Sequence, residues 1–323
     1  MSVLSSVTDY LLSAIPLGMT LLYGSTGEII TEKSGHLNLG IPGIMCVGGA
    51  GGCVALQAMF RGASETPLNP IIVVTVAILA SFLSAAFIGL IYSFLTVTLH
   101  ANQNVTGLAL TTFGVGLMKF CMSKLTPHKY LYAIKYFRYP FAESTSSIHY
   151  CGVMFFLAIL IAIISSYVLL KTRVGLCLRA VGENPATADA VGINVSRYKY
   201  IATCIGSGIA GLGGIYYIMD YAGSREAYLS IESMGWLAIA LVIFALWKPH
   251  VSIWGSAIFG ALFIAGAFIP SIRELHVSMR SIPLLKMLPY LFTIVVLVAI
   301  SIRNRRENQP PSALGVNYFR EER

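Results

Sequence analysis

The sequence predicts an all-α protein, a polytopic bundle of transmembrane helices. Of its 323 residues, 56% are hydrophobic and only 11% are charged, against roughly 25% charged in an ordinary soluble domain. A helix needs about 20 mainly apolar residues to cross a bilayer and tolerates few charges near its centre. Long stretches meet this requirement because they contain no Asp, Glu, Lys or Arg: 34–60, 66–118, 144–170, 200–219, 233–247, 249–272 and 287–302.

The uncharged stretches, together with the apolar run near the N-terminus, predict nine membrane segments. Stretch 66–118 is long enough for two spans, and its break falls at His100–Asn104, whose hydrogen-bonding side chains hydrocarbon would not satisfy. Segment 37–60 is so rich in glycine that it could be broken or re-entrant. The predicted segments are 9–24, 37–60, 69–98, 104–121, 149–170, 200–220, 231–247, 251–270 and 284–302.

These segments define one transmembrane domain, 1–302, followed by a C-terminal tail, 303–323. A cytoplasmic C-terminus puts slightly more than half of the 22 Lys and Arg residues on the inside, as the positive-inside rule prefers. The cation-rich stretch 119–138 would then lie outside, against the rule, so charge favours this orientation only slightly. The tail has no apolar periodicity, and we expect it to be solvated and weakly ordered.

The hydrophilic loop 171–199 contains its own helix signals. Asn184 is a good N-cap, Pro185 suits the first helical position, and Gly192 suits a left-handed residue after the last turn. These residues predict a helix over about 185–191. Such a helix would be only about 10 Å long, too short to be stable alone, so it needs support from its own chain or from a partner.

Several function classes lack their signatures. The net charge of +8 comes without a basic helix or an aromatic-interleaved basic stripe, so we expect no nucleic-acid partner. No GxxxxGK[ST], HExxH or GxSxG motif occurs, and we expect no enzyme activity, cofactor or metal on this chain. The six cysteines form no CxxC pair, which favours free thiols, with a Cys121–Cys151 bridge as the alternative.

Uncharged polar residues at membrane depth are candidates for a solute path. Asn38, Asn104 and Thr106 are the residues we select, because a polar uncharged solute needs donors and acceptors among apolar walls. The alternative is that they hydrogen-bond between helices.

In 200–220, the small residues of GSGIAGLGG would let helix backbones approach closely.

The connection between the first two segments is polar and bounded by glycines. Glu28 and Glu32 are four residues apart and would share one helix face. The run Gly27–Gly43 (GEIITEKSGHLNLGIPG) resembles the "GE…ER.G..N.G.EG" signature of permease subunits in ABC importers for nucleosides, within the ribose and branched-chain amino acid permease family that includes basic-membrane-protein-dependent systems. Pro42 replaces the usual Glu of that signature.

Further motifs of this family follow in the same order. His100–Gly107 is similar to "ANE.ISG", residues 178–195 (LRAVGENPATADAVGINV) are similar to the family's cytoplasmic loop, and Trp236–Pro249 resembles "GfIALAAviFGkWnP" with Ala245 and Leu246 replacing Gly and Lys. Later segments fit "LPYilT" and "PaALG": Leu288–Leu291 and Pro311–Gly315.

The resemblance implies a permease subunit in the bacterial cytoplasmic (inner) membrane, multi-pass, with a cytoplasmic C-terminus. It implies three partners: a second homologous permease, ATP-binding subunits that carry ATP and Mg, and an extracytoplasmic solute-binding lipoprotein. It also implies that 178–192 holds the coupling helix, with Ala186, Ala188, Ala190 and Val191 as knobs toward the ATPase. The residues selected for coupling are Glu183, Asn184, Pro185, Ala188 and Gly192.

The substrate class that the resemblance implies is nucleosides. The same transporter class carrying riboflavin, simple sugars or another small polar metabolite is one alternative. A secondary, ion-coupled transporter is another, although charged residues cluster at the segment ends rather than at mid-membrane. A structural or signalling membrane subunit without solute flux is the third.

Overall fold

The computed structural model describes residues 3–60, 69–138, 152–224, 226–269, 282–303 and 309–319. These residues form helices and connections, with no β-strand among them. The α-helices are α1 Val3–Glu32, α2 Ile41–Met59, α3 Pro70–Ser93, α4 Gln103–Lys124, α5 Pro127–Leu131, α6 Ile134–Arg138, α7 Val153–Lys171, α8 Arg173–Glu183, α9 Pro185–Ala190, α10 Val195–Ile215, α11 Ile231–Phe244, α12 Pro249–Phe268, α13 Ile282–Lys286 and α14 Leu288–Arg303. Helix α3 continues as a π-helical turn, Phe94–Thr98, and α10 as another, Tyr216–Ala222.

The all-α membrane class is confirmed. Within the described residues, seven helical segments are long and apolar enough to cross a membrane: Ile41–Met59, Pro70–Thr98, Gln103–Lys124, Val153–Lys171, Val195–Ala222, Ala227–Phe244 and Pro249–Gly266. Helices α1 and α14 coincide with the other two predicted segments, and the count of nine crossings stays a prediction. The glycine-rich segment 37–60 contains one continuous helix from Ile41, so the break considered there does not occur.

Small residues allow the central helices to pack backbone against backbone. A Cβ atom added to Gly48 of α2 would lie 2.4 Å from the Cα atom of Gly211 in α10, and one added to Gly206 would lie 2.4 Å from the carbonyl oxygen of Gly27 in α1. No real Cβ fits at these distances. The prediction that the GSGIAGLGG segment mediates close packing is therefore confirmed, and α10 lies at the centre of the bundle against α1, α2 and α3.

Loops from distant parts of the chain meet at one end of the bundle, which we call the loop face. It comprises the α1–α2 connection (33–40), the α3–α4 connection (99–102), the 172–194 segment, the α11–α12 connection (245–248) and the tail residues 309–319. Hydrogen bonds join these parts directly, including Gly315 N to Gly35 O at 3.2 Å and Ala313 N to Gly182 O at 3.0 Å.

The tail differs from the sequence prediction. Residues 309–319 run across the loop face and hydrogen-bond to three other segments, rather than extending into solvent. Ala313 is buried, and Gly315 adopts a left-handed φ of 78°. The expected weak order was wrong for these residues because their backbone groups find fixed partners, which a search for apolar periodicity does not detect. Six of the eleven are nevertheless exposed, as expected of a solvated tail.

Candidate functional site

The α1–α2 connection, 33–40, is the buried centre of the loop face. Its backbone hydrogen-bonds to side chains of α3 and α4: Leu37 O accepts from Tyr92 Oη of α3 (2.6 Å), and Leu39 O accepts from Thr111 Oγ1 of α4 (2.8 Å). Gly35, at a left-handed φ of 85°, reverses the chain after α1. These bonds fix the connection to the ends of the helices around it.

Two buried carboxyl groups at the end of α1 support this connection. Helix α1 extends to Glu32, beyond the predicted end at residue 24, so Glu28 and Glu32 lie on one helix face and are almost fully buried. Glu28 Oε1 accepts a hydrogen bond from the backbone N–H of Asn38 at 3.0 Å, and Glu32 accepts one from the indole N–H of Trp247. The spacing of the two residues predicted the shared face but not their burial, because the residues that cover them lie far along the chain.

Two charged or titratable side chains next to α1 have perturbed pKa values. Burial lowers the pKa of His36 well below its usual range, and the positive charge of Lys199 lowers it further. His36 Nδ1 lies 3.1 Å from Thr203 Oγ1 of α10. Burial also lowers the pKa of Lys33, against the attraction of the Glu183 carboxylate, which raises it. The loop face thus holds a neutral imidazole at its centre and cations around it.

The 172–194 segment forms two consecutive helices, α8 and α9. The predicted short helix is confirmed as Pro185–Ala190, with Asn184 Oδ1 accepting from Thr187 N at 3.0 Å and Pro185 in the first turn. Gly192 has the predicted left-handed conformation, φ 87°. Local sequence signals were sufficient here because both caps lie within the segment itself.

Helix α9 exposes one face and buries the other. Thr187, Ala186, Ala190 and Val191 are exposed, and Val191 has 72% of its surface accessible. Ala188 is only 2% exposed and packs against Val181 and Val195. The expectation that Ala188 is a knob was therefore wrong, because its side chain anchors α9 to its own chain.

Helix α8 connects this surface to the centre of the loop face. A Cβ atom on Gly182 would lie 2.3 Å from the carbonyl oxygen of Lys33, so the two backbones touch. Glu183 Oε2 accepts a hydrogen bond from Ser312 Oγ of the tail at 2.8 Å. A displacement of α8 and α9 would consequently reach the α1–α2 connection without an intervening flexible side chain.

The three residues selected for a solute path differ in exposure. Asn38 is fully buried, and its Oδ1 accepts from Gly40 N at 2.9 Å. Thr106 is also buried, whereas Asn104 lies on the exposed face of α4. That face carries a shallow groove beside Thr112, Phe113 and Gly116.

The thiols of Cys46, Cys53, Cys121, Cys177 and Cys204 are free, and Cys151 lies outside the described residues.

A bundle of long apolar helices with a short capped helix displayed on its loop face defines a polytopic membrane protein. The chain belongs to the family "branched-chain amino acid transport system / permease component", whose model matches residues 6–300.

Relatives match along nearly the whole chain. It is 31% identical to the nucleoside ABC transporter permease protein NupC of Lactococcus lactis, over 99% of both chains. It is 30% identical to the guanosine ABC transporter permease protein NupQ of Bacillus subtilis, over 97% of this chain and 96% of that one. It is also 28% identical to a protein of Haloferax volcanii that is provisionally named as the glucose ABC transporter permease TsgC13, over 98% and 99% of the two chains.

Proposed function

We propose that this chain is the permease subunit of an ABC importer for nucleosides. Full-length similarity to NupC and NupQ supports the substrate class. The observation that carries the coupling role is the exposed, capped α9, joined to the core through the backbone contact between Gly182 and Lys33. On this proposal, ATP and Mg bind to a separate ATPase subunit, and no covalent chemistry occurs on this chain.

The coupling mechanism is mechanical. The exposed face of α9, with Ala186 and Val191 at its two ends, docks into a groove of the ATPase on the cytoplasmic side. When the ATPase closes, α9 and α8 move together because Ala188 is packed between Val181 and Val195. On this proposal Glu183, Asn184 and Gly192 are positioning residues, which fix the shape of the docked helix. Coupling requires that this contact differ between two conformations.

The solute path forms where this subunit meets a second, homologous permease. The exposed face of α4 supports this arrangement, because Thr112 is a polar residue in the middle of the helix that would otherwise face lipid, and Asn104 lies on the same face at its beginning. Thr112 Oγ1 donates to Leu108 O of its own helix at 3.1 Å, and its lone pairs stay open to a donor on a polar solute. A solute-binding lipoprotein delivers nucleoside from outside, and Asn38 and Thr106 support the path from the buried side.

A charge placed on α9 tests the coupling role. Val191→Asp should lower ATP-dependent nucleoside uptake in proteoliposomes about tenfold, because docking would bury an unpaired carboxylate. Val316→Asp is the matched control, since Val316 is also exposed, at 57%, but lies in the tail. Nucleoside binding to the lipoprotein should be unchanged in both variants. Equal uptake by the wild type and Val191→Asp would remove α9 from the coupling interface.

The substrate class is tested separately by competition. Unlabelled nucleoside should displace labelled uridine or guanosine uptake, whereas riboflavin and glucose should not. If glucose competes instead, the transported solute is a sugar, which is the alternative that the similarity to TsgC13 supports. Flux that persists without the ATPase and follows an ion gradient would instead show a secondary transporter.

A further inference from the structure

A polar pocket at the loop face has no part in the proposed transport path. Its volume is about 450 Å³, within the range of small-molecule sites. It lies between the end of α3, the beginning of α10 and the tail. The residues that matter for its chemistry are His36, Asp189, Ser196, Lys199 and Asn317.

Lys199 is the feature that points to a ligand. It lines the pocket, only 3% of its surface is exposed, and it has no hydrogen-bond or ion-pair partner within the described part of the chain. Burying an ammonium group without a partner is costly, and proteins normally pair such a charge. His36 beside it cannot balance that charge, because an imidazole is either neutral or positive, and burial and Lys199 both lower its pKa.

The beginning of α10 adds a second attraction for anions at the same place. Asn194 caps the helix by accepting from Arg197 N at 2.9 Å. The backbone amides of Val195 and Ser196 have no acceptor inside the helix, and both residues line the pocket. A helix N-terminus of this kind, next to a lysine, favours a phosphate group.

The opposite wall of the pocket differs in chemistry. Asp189 accepts a hydrogen bond from Tyr318 Oη at 2.9 Å, and Asn317 Nδ2 donates to His100 O at 2.7 Å. This wall repels a second anion but offers hydrogen-bonding groups to an uncharged part of a ligand. It is built from α9 and the tail, so an occupied pocket would tie α9 to the tail.

We propose that this pocket binds a phosphate group, with Lys199 and the first turn of α10 holding the anion. The phosphate belongs to a soluble phosphorylated metabolite or to a phospholipid headgroup at the membrane surface. The proposal does not depend on the identity of the transported solute.

Binding is measured on the purified full-length chain in phosphate-free detergent. In one arm, inorganic phosphate is added at constant ionic strength and its ³¹P line width is followed. In the other arm, phosphatidylglycerol is added to the micelles and its retention is followed by native mass spectrometry. One of the two sources should bind the wild type, and Lys199→Gln should weaken that binding about tenfold. Lys171→Gln, on an exposed lysine, is the matched control and should bind as the wild type does.

A labelling experiment on the wild type avoids any effect of the variant on folding. Formaldehyde with cyanoborohydride, reagents small enough to enter the pocket, dimethylates lysine side chains, and the modified residues are identified by mass spectrometry. The ligand that binds in the first experiment should slow modification of Lys199 several-fold and leave Lys171 unchanged. No binding from either source, equal binding by Lys199→Gln, or no protection of Lys199 would each overturn the proposal.

Discussion

Single contacts made by buried polar side chains hold the loop face together. The indole of Trp247 donates to the buried carboxyl of Glu32, although 215 residues separate them in sequence. Trp247 and Leu246 both adopt a left-handed φ of 54°, which side chains rarely do. Strain of this kind persists only where the surroundings hold the residue in place, and here the bond to Glu32 contributes to that constraint.

Trp247→Phe should therefore destabilise the protein. The substitution keeps an aromatic ring but removes the only donor nitrogen of the side chain, which leaves the Glu32 carboxyl short of a partner inside the bundle. A buried acceptor left without its partner costs about 1–3 kcal/mol. Thermal unfolding in detergent, followed by fluorescence of a thiol-reactive dye, would show the loss as a lower midpoint.

Trp254→Phe provides the comparison for this measurement. Trp254 lies on α12 with 76% of its surface exposed, and surface substitutions of this kind usually change stability by less than about 0.5 kcal/mol. If both variants unfold at the same temperature, the bond between Trp247 and Glu32 contributes nothing measurable to stability.

At the scale of elements, a helix boundary could be predicted from the sequence only where the residues that determine it lie close to it in the chain. Helix α9 was predicted within one residue because Asn184, Pro185 and Gly192 are all local. The end of α1 was not, because its last turns carry glycines and two carboxylates, and only burial by other helices makes helix favourable there. The tail was missed for the same reason: its partners, Gly35, Gly182 and Gln103, are all distant in sequence.

Gly192→Ala should loosen the end of α9. The added Cβ would meet no atom within 4 Å, so only the left-handed φ of 87° opposes it. That conformation costs an L-residue about 1–2 kcal/mol, partly offset by the lower entropy of the unfolded chain. The amides of α9 should therefore exchange with deuterium about fivefold faster, as mass spectrometry of the full-length chain would record.

Two further variants separate conformation from the mere presence of a methyl group. Gly192→Asn should exchange more slowly than Gly192→Ala, because Asn tolerates the left-handed region. Gly116→Ala adds a Cβ that also meets nothing within 4 Å, but in a helical residue of α4, and it should leave α9 unchanged. Wild-type exchange in Gly192→Ala would mean that the C-terminal turn of α9 does not depend on this glycine.

At the scale of the whole molecule, the structure fixes which parts share a face, while the side of the membrane comes from the proposed function. Tyr318 bonds to Asp189 of α9 and Asn317 bonds to Gln103 of α4, so the tail, α9 and the beginning of α4 lie at the same end of the bundle. Ser123 is exposed near the other end of α4, about 20 residues further on, which corresponds to about 30 Å along a helix. This spacing makes the two ends distinguishable by chemical labelling.

A membrane-impermeant maleimide, applied to single-cysteine variants in a background with the native cysteines replaced by alanine, tests both statements. In vesicles stripped of the ATPase, so that α9 is uncovered, Val191→Cys and Val316→Cys should react when the vesicles are inside-out and be protected when they are right-side-out, whereas Ser123→Cys should show the reverse. Reaction of Val191→Cys and Val316→Cys from opposite sides would contradict the packing of the tail across the loop face. Reaction of both from the outside would keep the fold but place α9 away from cytoplasmic ATP, and a coupling role would then be physically impossible.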